Sequence, residues 1–162
     1  MSNSDIHLKL DGIKGESVDL QHKDEIDIFS WNWGVAAPLP VAGGGGGGAG
    51  RPAFTDLTFT HRADRASPGL WAACATGRHI KEARLAIAHA GAAAPDYILI
   101  KLGDVAVTSV ALADVANDGQ APLETVTLHY AKVEYDYRPQ NANGSLGGAV
   151  VFKYDLKAGK AG

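Results

Sequence analysis

The chain has 162 residues, a mass of 16.9 kDa and a formal net charge of −3, which is the size of one ordinary domain over residues 1–162. Its 46% apolar and 20% charged composition excludes a disordered protein and allows a real core without staples. The mild acidity gives no ground for general affinity toward nucleic acid or an anionic membrane.

Met1 to Leu10 carries Asp5, His7 and Lys9 among its apolar residues, so no signal-peptide core is expected there. Nowhere does the sequence hold an apolar run long enough to insert across a bilayer. The first predicted strand alternates Ile6, Leu8 and Leu10 on one face with His7, Lys9 and Asp11 on the other. Gly12 and Gly15 mark a turn. A second strand opens at Ile26 and Ile28 and runs through Phe29 to Trp33. Its apolar phase moves from even to odd positions on the way, as at a bulge, a barrel corner or a strand covered on both faces. If Trp31 and Trp33 point inward, Ser30 and Asn32 face the other way.

Val35 to Pro52 reads Val-Ala-Ala-Pro-Leu-Pro-Val-Ala, six glycines, Ala-Gly and Arg51-Pro52. It is too long for a tight hairpin, and it lacks the Gly-Lys-Ser/Thr ending and following helix of a phosphate-binding loop. Two readings stand: a passive linker, or an extended arm that docks on a neighbouring subunit. In the second, Pro38, Leu39 and Pro40 supply the contact and glycine permits close backbone approach.

Leu57 and Phe59 alternate with Asp56, Thr58 and Thr60. A single helix follows over about residues 67–77. Ser67 suits the N-cap, Pro68 the first turn and Gly77 the C-terminal cap. Leu70 with Cys74, and Trp71 with Ala75, form two adjacent apolar stripes. A helix this short is not stable alone, so it must dock on the sheet.

Further strands are expected at Ala83 to Ile87, Tyr97 to Leu102, Val105 to Leu112, Thr125 to Tyr137 and Val150 to Leu156. Pro95-Asp96, Gly103-Asp104, Asn117-Asp118-Gly119 and Asn143-Gly144 carry turn chemistry between them. In Thr125 to Tyr137 the apolar phase again shifts, from Val126, Leu128 and Tyr130 to Val133, Tyr135 and Tyr137. The fold class is mainly β: a small barrel or two-sheet sandwich of about eight strands with the one helix and the long loop.

Chemistry-bearing patterns are sparse. His7, His22, His61, His79, His89 and His129 form no metal-ligand spacing, and no cofactor or catalytic motif is present. The lone cysteine, Cys74, allows no intrachain disulfide and suits folding in a reducing cytoplasm. Asp24, Glu25 and Asp27 lack the loop pattern of a calcium site and read as a solvated edge.

Several segments together carry a specific pattern. They are Asp11-Gly12-Ile13-Lys14-Gly15-Glu16-Ser17, His22-Lys23-Asp24-Glu25-Ile26-Asp27, Ser30-Trp31-Asn32-Trp33-Gly34 and the glycine-rich loop. Asp64, Ala66-Ser67-Pro68, Leu70, Ala73-Cys74 and Gly77 follow, then Pro122-Leu123-Glu124 through Leu128 and Tyr130. From about residue 5 to about residue 156 their order and spacing resemble the haemolysin-coregulated protein (Hcp) family. The resemblance implies a β-barrel whose homohexameric rings stack into the inner tube of a type VI secretion machine. A spike protein caps that tube, a contractile sheath expels it, and small effectors ride in its channel. It implies assembly in the cytoplasm and secretion without a signal peptide; no cofactor is expected, and although some family members carry fused C-terminal toxin domains, none is expected in a chain that ends soon after Tyr154. The loop from Val35 to Pro52, with Pro38, Leu39, Pro40, Gly45 and Arg51, corresponds to the inter-ring loop. Ser30 and Asn32 are candidate channel-facing residues, or else ordinary exposed strand residues. The competing functions are a monomeric β-sandwich binding module and an enzyme built from distant strands.

Overall fold

The computed structural model describes residues 5–38, 51–91, 94–114 and 117–162. Leu39, Pro40 and Gly45 of the expected loop lie outside the described residues. Among the described residues, twelve strands and one helix follow in chain order. They are β1 (Ile6–Leu10), β2 (Ile26–Asp27), β3 (Ser30–Asn32), β4 (Val35–Ala36), β5 (Ala53–Phe54) and β6 (Leu57–Arg62), then α1 (Ser67–Thr76). After the helix come β7 (His79–Ala88), β8 (Asp96–Ala113), β9 (Leu123–His129), β10 (Lys132–Tyr137), β11 (Val150–Asp155) and β12 (Lys160–Ala161).

Ten strands join one antiparallel network, and β4 pairs with β5 as a separate small hairpin. The long β8 organises the network. Its first half pairs with β7 and β10, and its second half pairs with β9. From β7 the network continues through β1 to β2, and from β9 through β6 to β3. Two backbone bonds bring these arms together. Ile28 N–H donates to Ile6 O, and Phe29 N–H donates to Thr60 O. One segment therefore spans from β1 to β6 and curls the sheet into a barrel.

The phase changes are corners. Between β2 and β3 the chain passes from β1 to β6, which is why a single strand from Ile26 to Trp33 is not formed. Between β9 and β10, Tyr130 and Ala131 form the bend, and Ala131 N–H donates to Gly103 O. Gly103-Asp104 is not the expected turn. It lies inside an 18-residue strand, with Asp104 at φ 54°, so the irregularity bends β8 instead of ending it. Because the chain is broken at these corners and adds the short β4, β5 and β12, the described strands number more than eight.

The core gathers Leu8, Ile26, Ile28, Leu57, Phe59, Leu85, Ile100, Leu102, Val126 and Leu128, all fully buried or nearly so. Trp31 and Trp33 pack against it from the inner side, as the alternation requires. The helix docks against β8 and contributes Leu70 and Ala73 to this core. Two helix expectations change. Ser67 is the first helical residue and not the N-cap, which is Ala66. The Ser67 hydroxyl still accepts from Asp64 N–H, and the Asp64 carboxylate accepts from Ala66 N–H. Trp71 and Ala75 form no buried stripe, because the helix meets the barrel along Leu70, Ala73 and Cys74. Gly77 takes the left-handed C-terminal position at φ 67°, with its N–H on Ala73 O.

Candidate functional site

The barrel wall formed by β3, β6, β9 and the second half of β8 has two contrasting faces. On the inner face Trp31, Phe59, Val126 and Val110 lie in register across the four strands. One residue along, the side chains turn outward. There one row reads Ser30, Thr60, Thr125 and Ala111, and the next reads Asn32, Thr58, Thr127 and Ser109. Every side chain in both rows is small and uncharged. Ser30 and Thr60 hydrogen-bond through their hydroxyls, and Thr58 Oγ1 lies 3.4 Å from Thr127 Oγ1. Ser30 and Asn32 are exposed, on the face opposite Trp31. Charge returns only at the margins. Arg62 pairs with Asp118 at 3.3 Å on one side, and His129 pairs with Asp56 at 2.8 Å on the other.

The candidate loop residues divide. Pro38 and Arg51 are exposed, at the loop end of the β4–β5 hairpin. That hairpin takes Val35–Ala36 into a strand, so the loop proper is shorter than residues 35–52.

Behind the neutral wall sits a polar network with no counterpart in the sequence reading. His61 Nε2 lies 2.8 Å from Glu124 Oε1, with both side chains 0% exposed. Trp71 Nε1–H donates to Glu124 Oε2 at 2.7 Å, which ties the helix to β9. Asp64 Oδ1 stands 3.8 Å from His61 Nδ1. Burial drives the Asp64 carboxyl above its ordinary value, against the backbone bond from Ala66 and the nearby His61, which pull it down. His61 follows Leu57 and Phe59 in phase, and Glu124 precedes Val126 and Leu128 in phase. A polar residue in the apolar phase of each strand was the available signal.

Glu25 also departs from expectation. It is buried and not on a solvated edge, because it closes on His22 and Arg84. At the corner of the second strand, the Trp33 indole N–H donates to the Tyr130 hydroxyl, whose own proton goes to Thr55 O at 2.6 Å. Burial raises the Tyr130 hydroxyl above its ordinary value, against the lowering bond from Trp33.

The described residues thus form a curled antiparallel barrel with a docked helix and one uncharged outer wall, the architecture of a mainly β protein with one short helix. Residues 7–137 match the family described as type VI secretion system effector, Hcp. Protein hcp1 of Pseudomonas aeruginosa is 43% identical over 155 residues, covering 94% of this chain and 95% of that protein. The solved structure of a type six secretion system protein superposes with a TM-score of 0.91 at 28% identity, covering 98% of this chain and 99% of the other. Hcp1 from Salmonella typhimurium superposes with a TM-score of 0.76 at 35% identity, covering 97% of each. The chain belongs to the Hcp family of type VI secretion tube proteins.

Proposed function

We propose that this chain is a structural tube subunit whose hexameric rings stack into an inner tube. Contraction of a sheath drives the tube out behind a spike, with small effectors in its lumen. The observation that carries the reading is the uncharged outer wall: two rows of Ser, Thr, Asn and Ala across four strands, charged only at the rims. A channel that holds varied cargo loosely needs a wall that is wetted yet has no fixed charge to trap one sign of ligand. In this arrangement Ser30 and Asn32 face the lumen. The loop that includes Pro38, Leu39, Pro40, Gly45 and Arg51 joins successive rings.

Assembly has surfaces to use. Phe29, Tyr137, Val150 and Phe152 are large apolar groups left exposed on this one chain. Tyr137 lies opposite Val150, and Tyr135 opposite Phe152, on paired strands β10 and β11. The neighbouring apolar groups of β10 and β11 fit one subunit contact, and Phe29 offers a separate one. Ring closure requires heterologous contacts, and stacking without closure gives a tube. Negative-stain electron microscopy of the purified protein tests the reading. Closed six-membered rings, single or stacked, support it, whereas a dispersed monomer at high concentration favours a binding module.

A further inference from the structure

The segment between β1 and β2 is an arm that displays Val18 and Leu20 almost wholly to solvent, at 91% and 99% exposure. Its base is closed by backbone bonds. Gly15 N–H donates to Asp24 O, Ser17 N–H to Glu25 O and Asp24 N–H to Ser17 O. Arg65 holds that base through its backbone N–H on Glu16 and its guanidinium on Gly15 O and Asp24, and a pair of buried histidines ties the arm to β1 and β8. The His7 ring, on β1, stacks on the His22 ring, on the arm, with centroids 4.6 Å apart and 14° between planes. His22 Nδ1 lies 3.0 Å from Glu25 Oε1, and His22 Nε2 lies 2.9 Å from the Asp96 carboxylate at the start of β8. His7 Nε2 lies 3.3 Å from Asp27 on β2.

Each nitrogen of His22 thus meets a carboxylate, which only accepts. A neutral imidazole has one N–H, and an imidazolium has two. With ionised carboxylates, His22 completes both bonds only as the imidazolium. Four carboxylates surround the pair. Glu25 and Asp27 face the pair from the arm and β2, Asp96 faces it from β8, and Asp19 adds negative charge from the arm. The cation that β7 brings is Arg84, 4.0 Å from Glu25.

We infer that the stacked pair His7 and His22 is a proton-dependent lock: it fastens the arm carrying Val18 and Leu20 to β1 and β8 when the imidazoles are protonated and loosens it there as they lose their protons. The direction at His7 agrees. Burial pulls its value down, but the Asp27 hydrogen bond and the charges of Asp27, Asp19 and Glu25 outweigh that and leave it above the ordinary 6.5. A raised histidine contributes stability that is complete below the unfolded value and lost as pH rises through the folded one. Release therefore falls on the alkaline side of 6.5. The lock resides within one chain and does not rest on the tube reading.

Hydrogen exchange of the purified protein from pH 6 to pH 8.5, corrected for intrinsic base catalysis, tests it. The amides of Gly15, Ser17 and Asp24 lose protection several-fold across that range, while those of Leu57–Arg62 keep theirs. In His22→Gln the arm exchanges fast at both ends of the range, and in His129→Gln the native profile is retained. Nitrogen NMR of the native chain gives a reading that needs no variant: at pH 6 both ring nitrogens of His22 carry protons. A native arm whose protection does not change with pH, or a His22 ring with a single proton at pH 6, overturns the proposal.

Discussion

Trp71 on the helix and Glu124 on β9 are joined by a 2.7 Å hydrogen bond, and the second oxygen of the same carboxylate holds His61. One buried acid thus fastens three elements: the helix, β6 and β9. The contact also explains why Trp71 stays half on the surface. Its ring covers the network, and its N–H points down into it.

Removing one partner from such a network leaves the others buried and unpaired. Glu124→Ala should destabilise the fold by about 3–5 kcal/mol. Replacing His61 and Glu124 together by apolar residues of similar volume should cost less than the single change. Urea unfolding of the single and double variants checks both statements.

Leu70 is fully buried where the helix meets the barrel. Leu70→Asp forces an unpaired charge into that contact and should lower the melting temperature sharply or prevent folding. Trp71→Phe keeps the apolar cover but loses one hydrogen bond to a charged group, and should cost about 1.5–3 kcal/mol. Thermal melts followed by circular dichroism rank the two.

Asp64 gives a pH dependence with a definite sign. Its folded value lies above the unfolded 3.8, so the native state binds more proton across the interval, and stability falls as pH rises through it. Asp64→Asn keeps an acceptor for Ala66 N–H and has no such proton to lose. The variant should therefore gain on the native protein as pH rises above 3.8. The difference between their urea midpoints as pH rises is the measurement.

Gly15 lies against backbone, not against a movable side chain. A Cβ there would stand 2.5 Å from Glu25 O and 2.8 Å from Ile26 Cα. Gly15→Ala should push the arm off β2 and cost about 1–3 kcal/mol, as overpacking does. Denaturant unfolding gives the loss, and exchange of the Ser17 amide shows whether the arm has moved.

The neutral wall makes a prediction about cargo. Asn32→Gln lengthens the side chain at the β3 end of an outer row, and Thr127→Lys places a charge in the middle of the same row. Both should weaken retention of a co-expressed small effector and leave rings intact, as read by co-purification and microscopy. Unchanged retention in both variants removes this face from the lumen.

Much of this was legible because alternation in a strand is a local property. The sequence by itself determined that the protein is mainly β, that Ser30 and Asn32 turn away from Trp31, and that one helix ends at Gly77. The shifts of phase near Phe29 and Tyr130 were also visible, since a corner must change which side chains face the core. Tertiary structure alone decided what each corner joins. Sequence could not show that Asp96 closes on His22, 74 positions away, or that Glu124 reaches His61 across 63. Such pairs leave no local spacing. They form because the barrel brings β6, β9 and the helix around one dry interior, where a charged group must find its partner or not be buried at all.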